Sequence, residues 1–136
     1  MVARLGRTVG ENSFVADRPS KVFVLSVHFR DSYWLQAQRV FLDRFMDLPN
    51  ERLFCVDGIS ETDQAQGEEW FEHQGSHAGS LDMLARIALT RAQPKDWILV
   101  LDSDALPLQP LSAVLTRVDR VLAVQRVENL GDCQPH

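Results

Sequence analysis

The chain has 136 residues, a formal net charge of -5 and a sequence pI of about 5.3. That length suits one domain, and 45% hydrophobic residues can fill a single core, which argues against global disorder. The acidic balance argues against a nucleic-acid partner, which needs a clustered basic face.

The N-terminal stretch carries Arg4 and Arg7 but no apolar core, so it does not read as a signal peptide. No apolar run approaches the roughly 18 residues of a membrane span. Cys55 and Cys133 are the only cysteines, and neither lies in a C-x-x-C pair. A reduced, cytoplasmic protein is the expectation. Residues 1–20, with Gly6, Gly10 and Pro19, show no clear period. They read as a loosely ordered leader with room for one short strand, ahead of a single domain over residues 21–136.

"KVFVLSVHF" follows, from Lys21 to Phe29. Its nearly continuous β-branched and bulky residues predict a strand buried on both faces, as in parallel sheets. Asp31 and Ser32 can cap a helix that starts near Tyr33. Trp34, Ala37, Phe41 and Phe45 recur at helical spacing, with Leu35 and Leu42 beside them. On that pattern Trp34 and Phe41 are expected in the core. Pro49-Asn50 ends the helix, and "RLFCVDG" reads as a second strand closed by Asp57-Gly58. From Asp57 to Glu72 there are six acidic residues and no Lys or Arg, which reads as a long loop.

"HAGSLDMLARIALTRAQP" is a strong helix signal, with Ser80 as the expected N-cap and Pro94 as the stop. His73 and His77 are four apart, but Gly75 lies between them and the helix is expected only from Ser80, so they do not read as a zinc pair. A phosphate could face the start of this helix; ordinary capping is the simpler reading. "WILVL" is a third buried strand, "PLSAVLTRV" a short helix, and "RVLAVQRV" a fourth strand. Strands thus alternate with helices. The expected fold is α/β, with a mostly parallel sheet and helices on both faces. Ligands in such sheets bind outside the carboxyl ends of the strands. There the sequence places Ser26 and His28, then Asp57, then Asp102-Ser103-Asp104.

The last of these carries the chemistry. With 12 Asp in 136 residues, about one D-x-D is expected by chance, and an Asp after a strand often caps a turn. The context is more specific: this single D-x-D ends the apolar run "WILVL". Residues two apart in extended chain point to the same side, so Asp102 and Asp104 could share one hard cation, Mn²⁺ or Mg²⁺. Such a cation could neutralise a departing diphosphate.

"ILVLDSDALPL", with the preceding helix "SLDMLARIAL" and the N-terminal "VFVLSVHF", resembles the nucleotide-binding half of GT-A-type glycosyltransferases. The resemblance covers roughly residues 21–130. It implies a Rossmann-like core and a nucleotide-sugar donor held through a divalent metal at Asp102 and Asp104. It further implies nucleoside or phosphate contacts from Ser26, His28, Asp57 and Ser103. GT-A enzymes normally continue well past the D-x-D strand into an acceptor-binding half, whereas 32 residues follow Asp104 here. A shortened GT-A core, with an acceptor that the sequence does not identify, is therefore the expectation. Because the missing half would cover sheet edge and helix surface, a homodimer is also expected.

Two other readings stand beside it. One is a non-catalytic α/β module that binds a ligand or itself. The other is a metal-dependent phosphatase of the haloacid-dehalogenase type, whose motif usually carries Thr or Val where this chain has Leu106.

Overall fold

The computed structural model describes residues 2–4, 21–115 and 121–122. The remainder of the leader, most of the last expected strand, and Cys133 lie outside the described residues. Six strands form one sheet: β1 (Val2–Arg4), β2 (Val22–Phe29), β3 (Asn50–Asp57), β4 (Glu68–Glu72), β5 (Trp97–Val100) and β6 (Val121–Leu122). Among the described residues, three α-helices accompany them, α1 (Ser32–Phe45), α2 (His77–Arg91) and the single turn α3 (Leu111–Leu115), with a 3-10 turn at Glu61–Asp63.

The spatial order is β4-β3-β2-β5-β1-β6. Strands β2 to β5 are mutually parallel, while β1 runs antiparallel to both β5 and β6. Taken alone, the four parallel strands lie in the order third, second, first, fourth. This is the doubly wound, Rossmann-like arrangement, in which the winding direction reverses between the first and fourth strands. Here those are β2 and β5. Right-handed crossovers on either side of that reversal put helices on opposite faces.

The buried side chains follow this winding. On one face Val22, Val24, Phe54 and Leu99 pack with Leu35 and Leu42 of α1 and with Leu111 and Leu115 of α3. On the other, Phe23, Leu25, Val27, Leu53, Cys55 and Ile98 pack with Leu84 and Ala88 of α2. Strand β2 feeds both clusters by alternation, and residues 22–28 are all buried. The α/β class, the mostly parallel sheet and the helices on both faces agree with the sequence.

Three local expectations need correction. The acidic stretch before α2 is not all loop: Glu68–Glu72 pairs in parallel with β3, from Arg52↔Glu68 to Val56↔Glu72. Three glutamates mask the strand signal: Glu69 and Glu72 are exposed, as an edge strand tolerates, and Glu68 is buried. Trp70 packs toward one core cluster and Phe71 toward the other. Secondly, α2 begins one turn earlier than Ser80. Ser76 is the N-cap, its hydroxyl accepting from Gly79 N at 3.0 Å. Ser80 is buried inside the helix, and its hydroxyl accepts from Gln74 N. Thirdly, the buried face of α1 is Leu35, Gln38 and Leu42. Trp34 is 41% exposed and Phe41 only partly buried, so the aromatic stripe is not the core face.

One ion pair ties α1 to the edge. The Arg39 guanidinium donates to both Glu68 carboxylate oxygens, from Nε at 2.5 Å and from Nη2 at 2.7 Å, and also to the carbonyl of Asp63. The Glu68 side chain is fully buried and accepts in addition from Trp70 Nε1 at 3.0 Å. Removing the cation leaves a buried carboxylate with too few partners. Arg39→Leu should therefore lower the unfolding free energy by about 3 kcal/mol. Urea denaturation measures this, and a loss below roughly 1 kcal/mol, the level of an exposed pair, would contradict it.

Candidate functional site at the switch point

The reversal between β2 and β5 opens at the carboxyl ends of those strands, where doubly wound sheets bind ligands. Regular pairing of β5 stops at Val100, although Leu101 N still donates to Leu25 O at 2.9 Å. Residues 102–105 then form a turn closed by Ala105 N to Asp102 O at 2.9 Å. The two aspartates therefore sit on a turn and not on extended strand. The same-side argument from strand geometry does not apply to them. Asp102 and Asp104 are both exposed and Ser103 is half-buried.

A buried side chain from α1 holds this turn. Gln38 is inaccessible to solvent, and its amide nitrogen donates to Asp102 O and to Ala105 O, each at 3.0 Å. Its signal in the sequence is faint: one polar residue on a helix rich in apolar stripes. From the opposite face, the start of α2 approaches the same turn. His77 Nε2 lies 3.7 Å from Asp102 Oδ1, with both side chains open to solvent. The early start of α2 is what brings His77 here. A helix expected only from Ser80 left this contact unseen.

Asp57 is exposed at the end of β3, and its carbonyl accepts from Arg30 N at 2.6 Å, tying the loops after β2 and β3 together. Gly58 sits at φ +69°, and an added Cβ would lie 3.3 Å from Arg30 Cγ, so a side chain is disfavoured at that crossing. Phe29, 40% exposed, stacks edge-on against His73 with ring centroids 4.4 Å apart.

Ser26 and His28 are placed differently. Alternation turns them to the α1 face of β2, and they are 0% and 1% exposed. They lie behind the rim formed by Arg30, Asp57 and the aspartate turn. The imidazole of His28 packs edge-on against Phe54 with centroids 5.4 Å apart, with Gln38 beside it. Neither ring nitrogen nor the Ser26 hydroxyl meets full hydrogen-bond geometry with a partner among the described residues, although the Gln38 side chain comes close enough to the imidazole to favour its protonated form.

Burial pushes the His28 pKa down to about 4, with nearby Arg39 adding to the shift and Gln38 and Glu68 opposing it. Above pH 6.5 the ring is neutral whether the chain is folded or not. Between pH 6.5 and about 4 the unfolded chain takes up a proton that the folded chain refuses, so stability falls with pH. At roughly 1.4 kcal/mol per pKa unit, the loss is on the order of 3 kcal/mol. His28→Leu should flatten this part of the stability profile, as measured by urea midpoints between pH 7 and 4.5. An unchanged slope would show that His28 is not the group responsible.

Among the described residues, no group of three or more His, Cys, Asp and Glu side chains is arranged to hold a metal. Two carboxylates on one turn remain. That donor set does not suit a metal held by protein alone. It does suit Mg²⁺ or Mn²⁺ bound through one or two carboxylates with substrate phosphates completing the shell. A hollow of about 370 Å³ lies away from this turn, at the amino ends of β3 and β4. Its charges are already paired, Arg91 with Glu69 at 2.6 Å and with Glu51 at 3.6 Å. No helix among the described residues is long and apolar enough to cross a membrane.

Comparison of the chain with protein-family models, with curated proteins and with solved structures finds no match.

Proposed function

We propose that this chain is the nucleotide-binding part of a metal-dependent glycosyltransferase of the GT-A type. It would hold a nucleoside-diphosphate sugar through Mn²⁺ or Mg²⁺ at Asp102 and Asp104. One observation carries the reading: the D-x-D turn stands at the carboxyl end of β5, where the order of the four parallel strands reverses. The bound cation would supply charge neutralisation for a departing diphosphate. The chain's own part is to present two carboxylates on an anchored turn, with Ser103 between them and Asp57 and Arg30 on the neighbouring loops. Ser26 and His28, buried behind this rim, act on the site from within and not by touching the nucleotide.

The donor set makes a specific expectation. Two carboxylates bind a hard cation weakly until phosphate oxygens join them. Mn²⁺ alone should raise the melting temperature little, and Mn²⁺ with a nucleoside diphosphate should raise it clearly, since a ligand bound only by the folded state stabilises it. Asp104→Asn should abolish the combined effect while leaving the fold intact by circular dichroism. An undiminished shift in that variant would place any metal elsewhere.

A second copy of the chain is the partner we propose. The open edge at β4 presents Glu69 and Glu72, both exposed, so edge-to-edge pairing would bring like charges together. The exposed side of α1 is the better surface: Tyr33, Trp34 and Val40 are 65%, 41% and 64% exposed. A dimer by light scattering that reverts to monomer in Trp34→Glu is expected. A monomer for the unaltered chain at every concentration would refute it.

A further inference from the structure

The Gln38 amide is oriented by its partners. Both contacts of its nitrogen are to carbonyl oxygens, Asp102 O and Ala105 O, and a carbonyl oxygen only accepts. The nitrogen must therefore face the turn, and Oε1 must face away from it. Among the described residues, no hydrogen-bond partner meets buried Gln38 Oε1, His28 Nδ1, His28 Nε2 or Ser26 Oγ. Gln38 lies beside the His28 ring, and Ser26 shares its face of β2. Buried polar atoms are rarely left unpaired, so four of them on three neighbouring residues call for a common solution. A neutral imidazole offers one N–H and one lone pair. Gln38 Oε1 could take that N–H, and the Ser26 hydroxyl, on the same face of β2, could donate to the lone pair.

We propose that His28 and Gln38 form a positioning relay behind the aspartate turn. The imidazole N–H holds Gln38 Oε1, directly or through one buried water, and the Gln38 nitrogen holds the carbonyls of Asp102 and Ala105. Neither side chain touches a ligand. Each acts by fixing where the backbone between Asp102 and Ala105 stands, and so where the two carboxylates are presented. The functional weight of the relay rests on the metal reading of that turn; its geometry does not. Phe54, packed edge-on against the ring, limits the rotation of the imidazole.

The relay can be tested without metal, by amide exchange in the ¹⁵N-labelled full chain. The reporter is Ala105 N–H, which closes the turn, and the control is Leu101 N–H, which pairs with Leu25 in the sheet. Gln38→Met and His28→Leu each remove one link while keeping similar bulk. Both should speed exchange at Ala105 about tenfold or more and leave Leu101 unchanged, since only the local opening of the turn is eased. A purely packing role would move both amides or neither. His28→Gln, which restores an amide donor, should recover most of the protection.

Unchanged exchange at Ala105 in either Gln38→Met or His28→Leu would overturn the relay. Should a variant fail to fold, the unaltered chain decides through its imidazole ¹⁵N shifts. One fixed neutral tautomer for His28 supports the relay, and rapid averaging between two tautomers overturns it. A parallel Mn²⁺ and nucleoside-diphosphate titration separates the two readings. If the unaltered chain binds neither while Ala105 exchange responds as expected, the metal reading fails and the relay stands.

Discussion

Two consecutive side chains of α1 reach in different directions, and the carboxyl end of the sheet depends on both. Gln38 turns toward the loop after β5, and Arg39 turns toward β4. Neighbouring residues on a helix differ by about 100° in direction, so one short segment can hold two separate elements. Strands β5 and β4 lie on either side of the β2–β3 pair. The apolar contacts of Leu35 and Leu42 press α1 onto the sheet, but burial of that kind is non-directional. The hydrogen bonds of Gln38 and Arg39 have direction. They select one seating of the helix, and with it one position for the aspartate turn and one for the edge strand.

A polar group in such a place carries a desolvation cost that only complete pairing offsets. Glu68 is fully paired: it receives the guanidinium, the indole N–H of Trp70 and the backbone N–H of Ala65. In the group formed by Ser26, His28 and Gln38, the fully formed hydrogen bonds among the described residues are directed to the turn. The difference suits their places in the fold. The edge needs a permanent anchor. The switch point lies where a ligand would be received, so part of its interior is devoted to holding a surface loop and not to packing alone.

How far the sequence could be read depended on how much of each signal was local. The buried strand "VFVLSVHF" and the helix "SLDMLARIAL" are visible because periodicity and hydropathy are properties of short windows. The α/β order, and with it the carboxyl-end location of the site, follows from them. Strand β4 was hidden because its partner, β3, supplies all its pairing and Arg39 supplies the countercharge to Glu68. No window over residues 68–72 contains either fact. The true start of α2 was hidden by two serines four residues apart, both able to cap. Gly75, at φ +74°, turns the chain into the helix and leaves Ser76 as the cap. Gln38 was the hardest to see, since its importance lies in two carbonyls 64 and 67 residues away.

The move of the aspartates from strand to turn changes what the site demands of the rest of the protein. On a strand, ladder hydrogen bonds would hold the two carboxylates in a fixed relation. On the turn, local rigidity must come from Ala105 N–H below and Gln38 behind. Both aspartates are exposed, the Asp102 side chain to 76%. An open carboxylate keeps its hydration until a cation displaces it, which favours a cation that arrives with its own phosphate ligands. His77 stands at the same carboxylate, 3.7 Å from Asp102 Oδ1, so the first turn of α2 meets the aspartate turn from the face opposite Gln38.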